Sequence, residues 1–421
     1  MKTPKTQTAK HDNASSYVLI MSIFVISVMI ALRMNISIQA VMGGYQYNVL
    51  VILIAMELFT NLIVETGIMQ FLATKLALRS HGNKRAILVL FGAMMFVISA
   101  FLNNITAVMV ILPVIFVLLK AIDLDKRYTC IFFANLLAIS NTGGASSPIG
   151  DFPAIVIMTS GITTFSDYLF RAMPIFLCTT AALIAFWVFR SHQNENRDSQ
   201  ELAVGLLSAR HKHIKVDKKT LIPLSVILGL MFLAWSFVPQ HIFPPEAVAI
   251  FGYTIAAGIC AVQGRKIKIS IDFKAVLTIS AFLFLASIIS ATGLLGELAV
   301  FLQTQVSDPR HLLIALMVIT SIVSGLFSAG PAAAAMMPVI VNLCNTTLTA
   351  HSHWVAIAYA AAICAGSSLF MWSATAGFIL SNKVEEAGLE YNWGIGSYLK
   401  YGFINYTIQM VIAISAIVLI L

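Results

Sequence analysis

The feature that most constrains this chain is a stretch of the wrong chemistry inside a long apolar run, SNTGGASSPIGDFPAI at residues 140–155. Glycines, prolines, hydroxyls, Asn141 and the acid Asp151 interrupt what would otherwise be a continuous membrane helix. In hydrocarbon every backbone N–H and C=O needs an internal partner, so such a stretch survives only where it lines a protein-enclosed or watery cavity. It reads as an unwound crossing at mid-membrane. Its surroundings agree: of 421 residues 59% are hydrophobic and 10% charged, and the mean hydropathy is +0.89. These values exclude an ordinary soluble domain. The formal charge of +8 comes from loop lysines and arginines and implies no nucleic-acid partner.

Apolar runs long enough for a bilayer core of about 30 Å fall at 16–38, 47–75, 127–160, 168–190, 220–238, 243–262, 274–297, 353–382 and 398–421, which predicts nine crossings. Two more apolar segments, 86–119 and 311–348, carry polar or Gly/Pro residues at their centres. They read as re-entrant hairpins. Nine crossings put the N-terminus in the cytoplasm and the C-terminus outside, and only Arg33, Arg171 and Arg310 then fall in outer segments, as positive charge on the inside requires. The tail 1–15 shows no cleavage pattern before the first span, so that helix is expected to stay. The expected setting is a lipid bilayer, the bacterial inner membrane.

The hydrophilic linker 191–219 separates a first half, 16–190, from a second, 220–421. The halves align. SAFLNNITAVMVILPVI from Ser99 matches SGLFSAGPAAAAMMPVI from Ser324, Thr66-Gly67-Ile68 matches Thr292-Gly293-Leu294, and the interrupted segment 127–160 matches 353–382. The equivalent spans run in opposite directions, so the fold class expected is an all-α polytopic protein of inverted repeats, each with a hairpin and a broken helix. The first repeat has one scaffold helix fewer.

Each half thus offers a hairpin tip and a break. Half-helix N-termini present free N–H groups to an anion, while freed carbonyls, amides and hydroxyls ligate small cations. Asn103, Asn104, Thr106, Ser140, Asn141 and Thr142 supply those oxygens in the first half. Ser328, Gly330, Ser367, Ser368 and Thr375 are the candidates in the second, where bare backbone and hydroxyls replace amides. Asp151 is the sole acid in either break, and an acid near the midplane costs roughly 2.5–3.5 kcal/mol on insertion scales. Two readings stay open for it: an ion or proton site, and the N-cap of the half-helix that follows. Glu57, Asn61 and Glu65 fall four apart and drift about 40° per step, so Glu57 and Glu65 are candidates for a proton path. No paired acid, HExxH or Ser/Lys constellation occurs in the breaks, so no enzyme activity is expected. The five cysteines are scattered singly, which suits buried small side chains.

FLNNITAVMVILPVI followed by SNTGGASSPIGDFPAIVI and FSDYLFRAMPI resembles the ion-transporter superfamily, in particular its branch of arsenite permeases and NhaD-type sodium:proton antiporters, and more distantly the divalent-anion sodium symporters. The likeness runs from the 47–75 span onward. It implies an elevator, with a transport domain sliding on a scaffold, and a homodimer. Ions and substrate are then expected at Asn103, Asn104, Thr106, Asn141, Thr142, Gly144 and Asp151, with sodium, the sole bound group implied, at Asn104, Asn141 and Thr142. Antiporter-like members carry Asp-Asn at a tip, whereas this chain has Asn103-Asn104 and Ser328-Ala329. That departure favours a sodium- or proton-coupled carrier of a small anion, an organic acid or oxyanion, over a sodium:proton antiporter.

Overall fold

A computed structural model of the chain describes residues 4–121, 126–191, 214–265, 267, 269, 271–306, 308–374, 376–386 and 395–420. Apart from one short 3-10 turn, its regular structure is α-helical. The first half comprises α1 (Pro4–Arg33), α2 (Ile38–Gly44), α3 (Tyr47–Glu65), α4 (Ile68–Arg79), α5 (Lys84–Phe101), α6 (Asn104–Ala121), α7 (Lys126–Ala145), α8 (Phe152–Thr159) and α9 (Phe165–Arg190). The second comprises α10 (Lys218–Phe237), α11 (Pro245–Val262), α12 (Phe273–Ala291), α13 (Leu294–Gln305), α14 (Pro309–Phe327), α15 (Ala329–Thr346), α16 (Ser352–Ser367), α17 (Gly377–Glu386) and α18 (Ile395–Ile420). Among the described residues eight helices are long and apolar enough to cross a membrane: α3, α5, α9, α10, α11, α12, α14 and the greater part of α18. The pair α15–α16, bent by 113°, would make a ninth. The expected linker lies mostly outside the described residues.

The structure redraws several boundaries. The run 47–75 is two helices, because Thr66 ends α3 and Gly67 turns the chain at φ +78°, a left-handed conformation that glycine adopts without penalty. The Thr66 hydroxyl donates back to the Ile63 carbonyl at 2.6 Å. The run 274–297 breaks the same way, at Gly293 with φ +80° and with the Thr292 hydroxyl 2.6 Å from the Ile289 carbonyl. Both segments expected as hairpins are helix pairs, α5–α6 and α14–α15, whose first arms of 18 and 19 residues are themselves long enough to cross. Cys178 is exposed where a buried thiol was expected, while the other four cysteines are buried.

Helix packing follows the glycines. A Cβ on Gly143 of α7 would stand 2.6 Å from the Phe96 carbonyl of α5, and one on Gly366 of α16 would overlap the Ser321 carbonyl of α14. Only glycine lets these backbones touch, and α5–α7 and α14–α16 are the two closest-packed helix pairs of their halves. The halves also exchange partners, since α1 of the first packs on α12 of the second, and α11 of the second packs on α3 of the first. At the foot of α3 the segment before α10 is pinned. The Asp217 amide donates to the Thr66 carbonyl at 3.0 Å, and the Asp217 carboxylate takes Thr220 at 2.8 Å and pairs with Arg265.

Candidate functional site

The first break is narrower than its composition suggests. α7 continues to Ala145, so Ser140, Asn141, Thr142, Gly143 and Gly144 are helical and only Ser146–Asp151 is unwound. Two hydroxyls of this stretch donate to the preceding turn, Ser140 to the Leu137 carbonyl at 2.8 Å and Thr142 to that of Ile139 at 3.0 Å. Such back-bonding satisfies the hydroxyl proton inside a helix and leaves the oxygen lone pairs as acceptors. Beyond Ala145 three contacts hold the loop. Ser147 donates to the Ala100 carbonyl, the Tyr168 hydroxyl donates to the Ala145 carbonyl at 2.7 Å, and Gly150 lies so close to the Gly144 and Ser99 carbonyls that a Cβ would sit 2.5 and 2.7 Å from them.

The break delivers Asp151 to the N-terminus of α8, where it stands at the N-cap position. One carboxylate oxygen accepts from the Phe152 amide at 2.8 Å, as an N-cap does; the other accepts from Asn104 Nδ2 at 2.9 Å. Asn104 is fully buried, and its Oδ1 has no hydrogen-bond partner. A buried acceptor left unpaired costs about 1–3 kcal/mol, so this oxygen is a ligand in search of a donor or a cation. Gly144 makes the room, since a Cβ there would stand 2.8 Å from both Asn104 Oδ1 and Asp151 Cβ. The break thus brings a buried amide oxygen and a carboxylate together beside Gly144.

Asn103, which with Leu102 connects α5 to α6, accepts from the Ile105 amide at 2.9 Å. With Asp151 it lines a small cavity whose other polar walls are Glu57 and Thr60 of α3. Glu57 is half-buried, and its carboxylate accepts from the Asp272 amide at 3.0 Å. Glu65 is exposed at the end of α3 and does not reach this cavity. Thr106 is half-buried in the first turn of α6.

The trio expected around one sodium ion is dispersed. Successive positions on a helix project about 100° apart, so Asn141 and Thr142 leave α7 in different directions. Thr142 meets Thr180 of α9 at 2.8 Å. Asn141 donates to Ser368 Oγ at 3.2 Å, and Gln409 of α18 donates to the same oxygen at 3.0 Å. Asn141 therefore joins the two breaks instead of serving the first.

The second break spans 368–376, between α16 and α17; Thr375 lies outside the described residues. Ser367 is back-bonded to the Cys364 carbonyl at 2.9 Å. The break is organised by Ser373, whose hydroxyl accepts from the Phe370 amide at 3.2 Å and lies 3.0 Å from the Ser367 carbonyl. Ser328, at φ +92°, is the whole connection between α14 and α15, and the next amide, Ala329, donates to the Ser373 carbonyl at 3.2 Å. Gly330 faces the Phe152 ring, which a Cβ would meet at 3.4 Å.

Three contributors fall outside the expected site: Tyr168, Tyr398 and Gln409. The Tyr398 hydroxyl donates to the Ser368 carbonyl at 3.1 Å, as Tyr168 does to Ala145. Both are the fourth residue of a 26-residue helix, α9 or α18, and both precede leucine, a signal present in the sequence. Tyr168→Phe and Tyr398→Phe each remove one hydrogen bond worth about 1 kcal/mol. Each is expected to lower the thermal midpoint of the purified protein slightly, and the pair additively, as a melting curve in detergent would read.

A family model described as citrate transporter matches residues 17–363 and again 233–421. The chain belongs to the citrate transporter family. This family is part of the ion-transporter superfamily; the arsenite permease and antiporter branch is a finer assignment than the match makes. The chain is 25% identical over 350 residues to a 46 kDa membrane protein of Mycobacterium leprae, covering 82% of this chain and 80% of that one. It is 26% identical over 354 residues to an uncharacterized transporter of Mycobacterium tuberculosis, with the same coverage. It is 24% identical over 337 residues to the magnetosome protein MamN of Paramagnetospirillum magneticum, covering 79% of this chain and 75% of MamN. The protein is thus an integral membrane protein of a transporter family.

Proposed function

We propose that the protein is a secondary active transporter in which Asn104 and Asp151 hold the coupling cation, sodium or a proton, for a small anion, an organic acid or oxyanion. The observation that carries this is the unpaired, fully buried Asn104 Oδ1 beside the Asp151 carboxylate. No lysine or arginine lines either described cavity, so an anion would find its positive partner in the bound cation and in helix N-termini. The family description, citrate transporter, supports a carboxylate.

The same reading includes inverted repeats and an elevator. The Thr-Gly corners, glycine-mediated helix contacts and tyrosine caps recur in the same chain order in both halves. The exchanged packing of α1 on α12 and α11 on α3 suits a scaffold built jointly by both. In this reading α5–α9 and α14–α18 move, the N-terminus is cytoplasmic and the C-terminus outside, the membrane is the bacterial inner membrane, and the scaffold of a homodimer stays still.

A second reading, a sodium:proton antiporter of the arsenite permease and NhaD branch, has its own support, because Glu57 and Asp151 share one cavity with no base. Thermal-shift and uptake screening against Na⁺, Li⁺, citrate, succinate, sulfate and arsenite separates the two. The carrier is expected to be stabilised by sodium and an anion together beyond either alone. Stabilisation by Na⁺ or Li⁺ that no anion changes would favour the antiporter. Glu57→Gln is expected to leave anion uptake largely intact in the carrier and to impair exchange severely in the antiporter.

A further inference from the structure

A second and larger cavity lies against α2, α12 and α15, and no site described so far uses it. Its walls include Gln46, Asn342, Asn345 and Ser290, and no charged residue. Gln46 Oε1 is buried without a hydrogen-bond partner. Thr159 and Ser160 also line it, and these are the last residue of α8 and the one after it. Asp151, which lines the acidic cavity, caps the other end of α8. The two cavities therefore sit at opposite ends of one eight-residue helix, which is about 12 Å long. Residues Phe152–Met158 of α8 are all buried and pack on α3, α15 and α16.

The walls facing α8 are related as well. Glu57 of α3 and Leu283 of α12 each stand nine residues before a Thr-Gly corner, and each lines one cavity. The two cavities thus use equivalent faces of equivalent helices, with the acid present in only one.

We propose that the second cavity is the opposite chamber of the translocation route, that α8 is the plug between the two, and that this chamber takes an oxygen-rich solute arriving with its own counter-cation. The inference rests on the transporter reading. Amides and hydroxyls can bond many oxygens, but a wall without charge leaves the solute's charge to its companion ion. A translocating solute has to displace the apolar body of α8, so the first event of transport is movement of α8 relative to α3 and α12.

The test uses the full chain carrying Cys178→Ser, which removes the exposed native thiol. Ser290→Cys and Asn103→Cys are treated separately with a membrane-impermeant methanethiosulfonate in vesicles of both orientations; Asn345→Cys, another exposed position, repeats the first measurement. Ser290→Cys and Asn345→Cys are expected to react from one side of the membrane and Asn103→Cys from the other. Citrate with sodium, at about ten times its Kd, is expected to slow labelling of Ser290→Cys about tenfold. Labelling of all three from the same side, or labelling of Ser290→Cys that citrate leaves unchanged, would overturn the inference. Citrate uptake by the unmodified protein in the same vesicles tests the transporter reading separately. Its absence alongside opposite-sided, citrate-protected labelling would remove that reading and keep the two chambers.

Discussion

Asp151→Asn is expected to abolish coupled transport while leaving the protein inserted and folded. Asparagine caps helices about as well as aspartate, so the bond to the Phe152 amide can survive, and an amide can still meet Asn104. What is lost is the one negative charge beside the unpaired Asn104 oxygen. Removing one partner of a buried charge contact costs about 3–5 kcal/mol, so cation affinity should fall by at least about 100-fold. Cation-driven uptake in proteoliposomes, set beside the melting curve, reads both halves of the expectation. Normal transport by the variant would return Asp151 to a capping role alone. Gly144→Ala should produce a similar loss without touching the charge, because its Cβ would stand 2.8 Å from Asn104 Oδ1 and Asp151 Cβ.

A large effect on folding is expected at Gly366. A single methyl there would overlap the Ser321 carbonyl and lie 2.8 Å from the Ser324 side chain, so Gly366→Ala must push α16 away from α14. Overpacking of this kind typically costs 1–3 kcal/mol, and a fixed backbone atom as the obstacle puts this position at about the upper end. Gly229 of α10 is the control, since nothing lies within 4 Å of a Cβ there and alanine is the better helix former. Gly366→Ala should lower the melting temperature and the yield of folded protein, while Gly229→Ala should leave both unchanged or slightly raised. Equal behaviour of the two would show that the α14–α16 contact is looser than described.

How much of this was legible beforehand depends on which physical constraint each residue obeys. The breaks and the hairpin turns at Asn103 and Ser328 are written in composition, because hydrocarbon tolerates such residues only where the backbone is interrupted or enclosed. The extent of the first break was not legible. Ser140 and Thr142 lie within α7 and each donates to the preceding turn, and a sequence does not say which carbonyl a hydroxyl will choose. The Asn104–Asp151 pair joins residues 47 apart, and Asn141–Ser368 joins residues 227 apart; long-range partners of this kind emerge only from packing. Glu65 shares a helical stripe with Glu57 but stands past the cavity, because the corner at Thr66-Gly67 ends the helix there. The tyrosine caps were legible in principle through the shared Tyr-Leu near the start of α9 and α18.

The central claim is that the first break holds a cation for the benefit of an anion. The measurement that tests it most directly is made in proteoliposomes loaded with a pH-sensitive dye and given an inward sodium gradient, with and without citrate outside. The account predicts that sodium drives citrate into the vesicles and that, without any anion, the sodium gradient moves no protons. Sodium-driven proton release in the absence of an anion would contradict it and make the protein an antiporter.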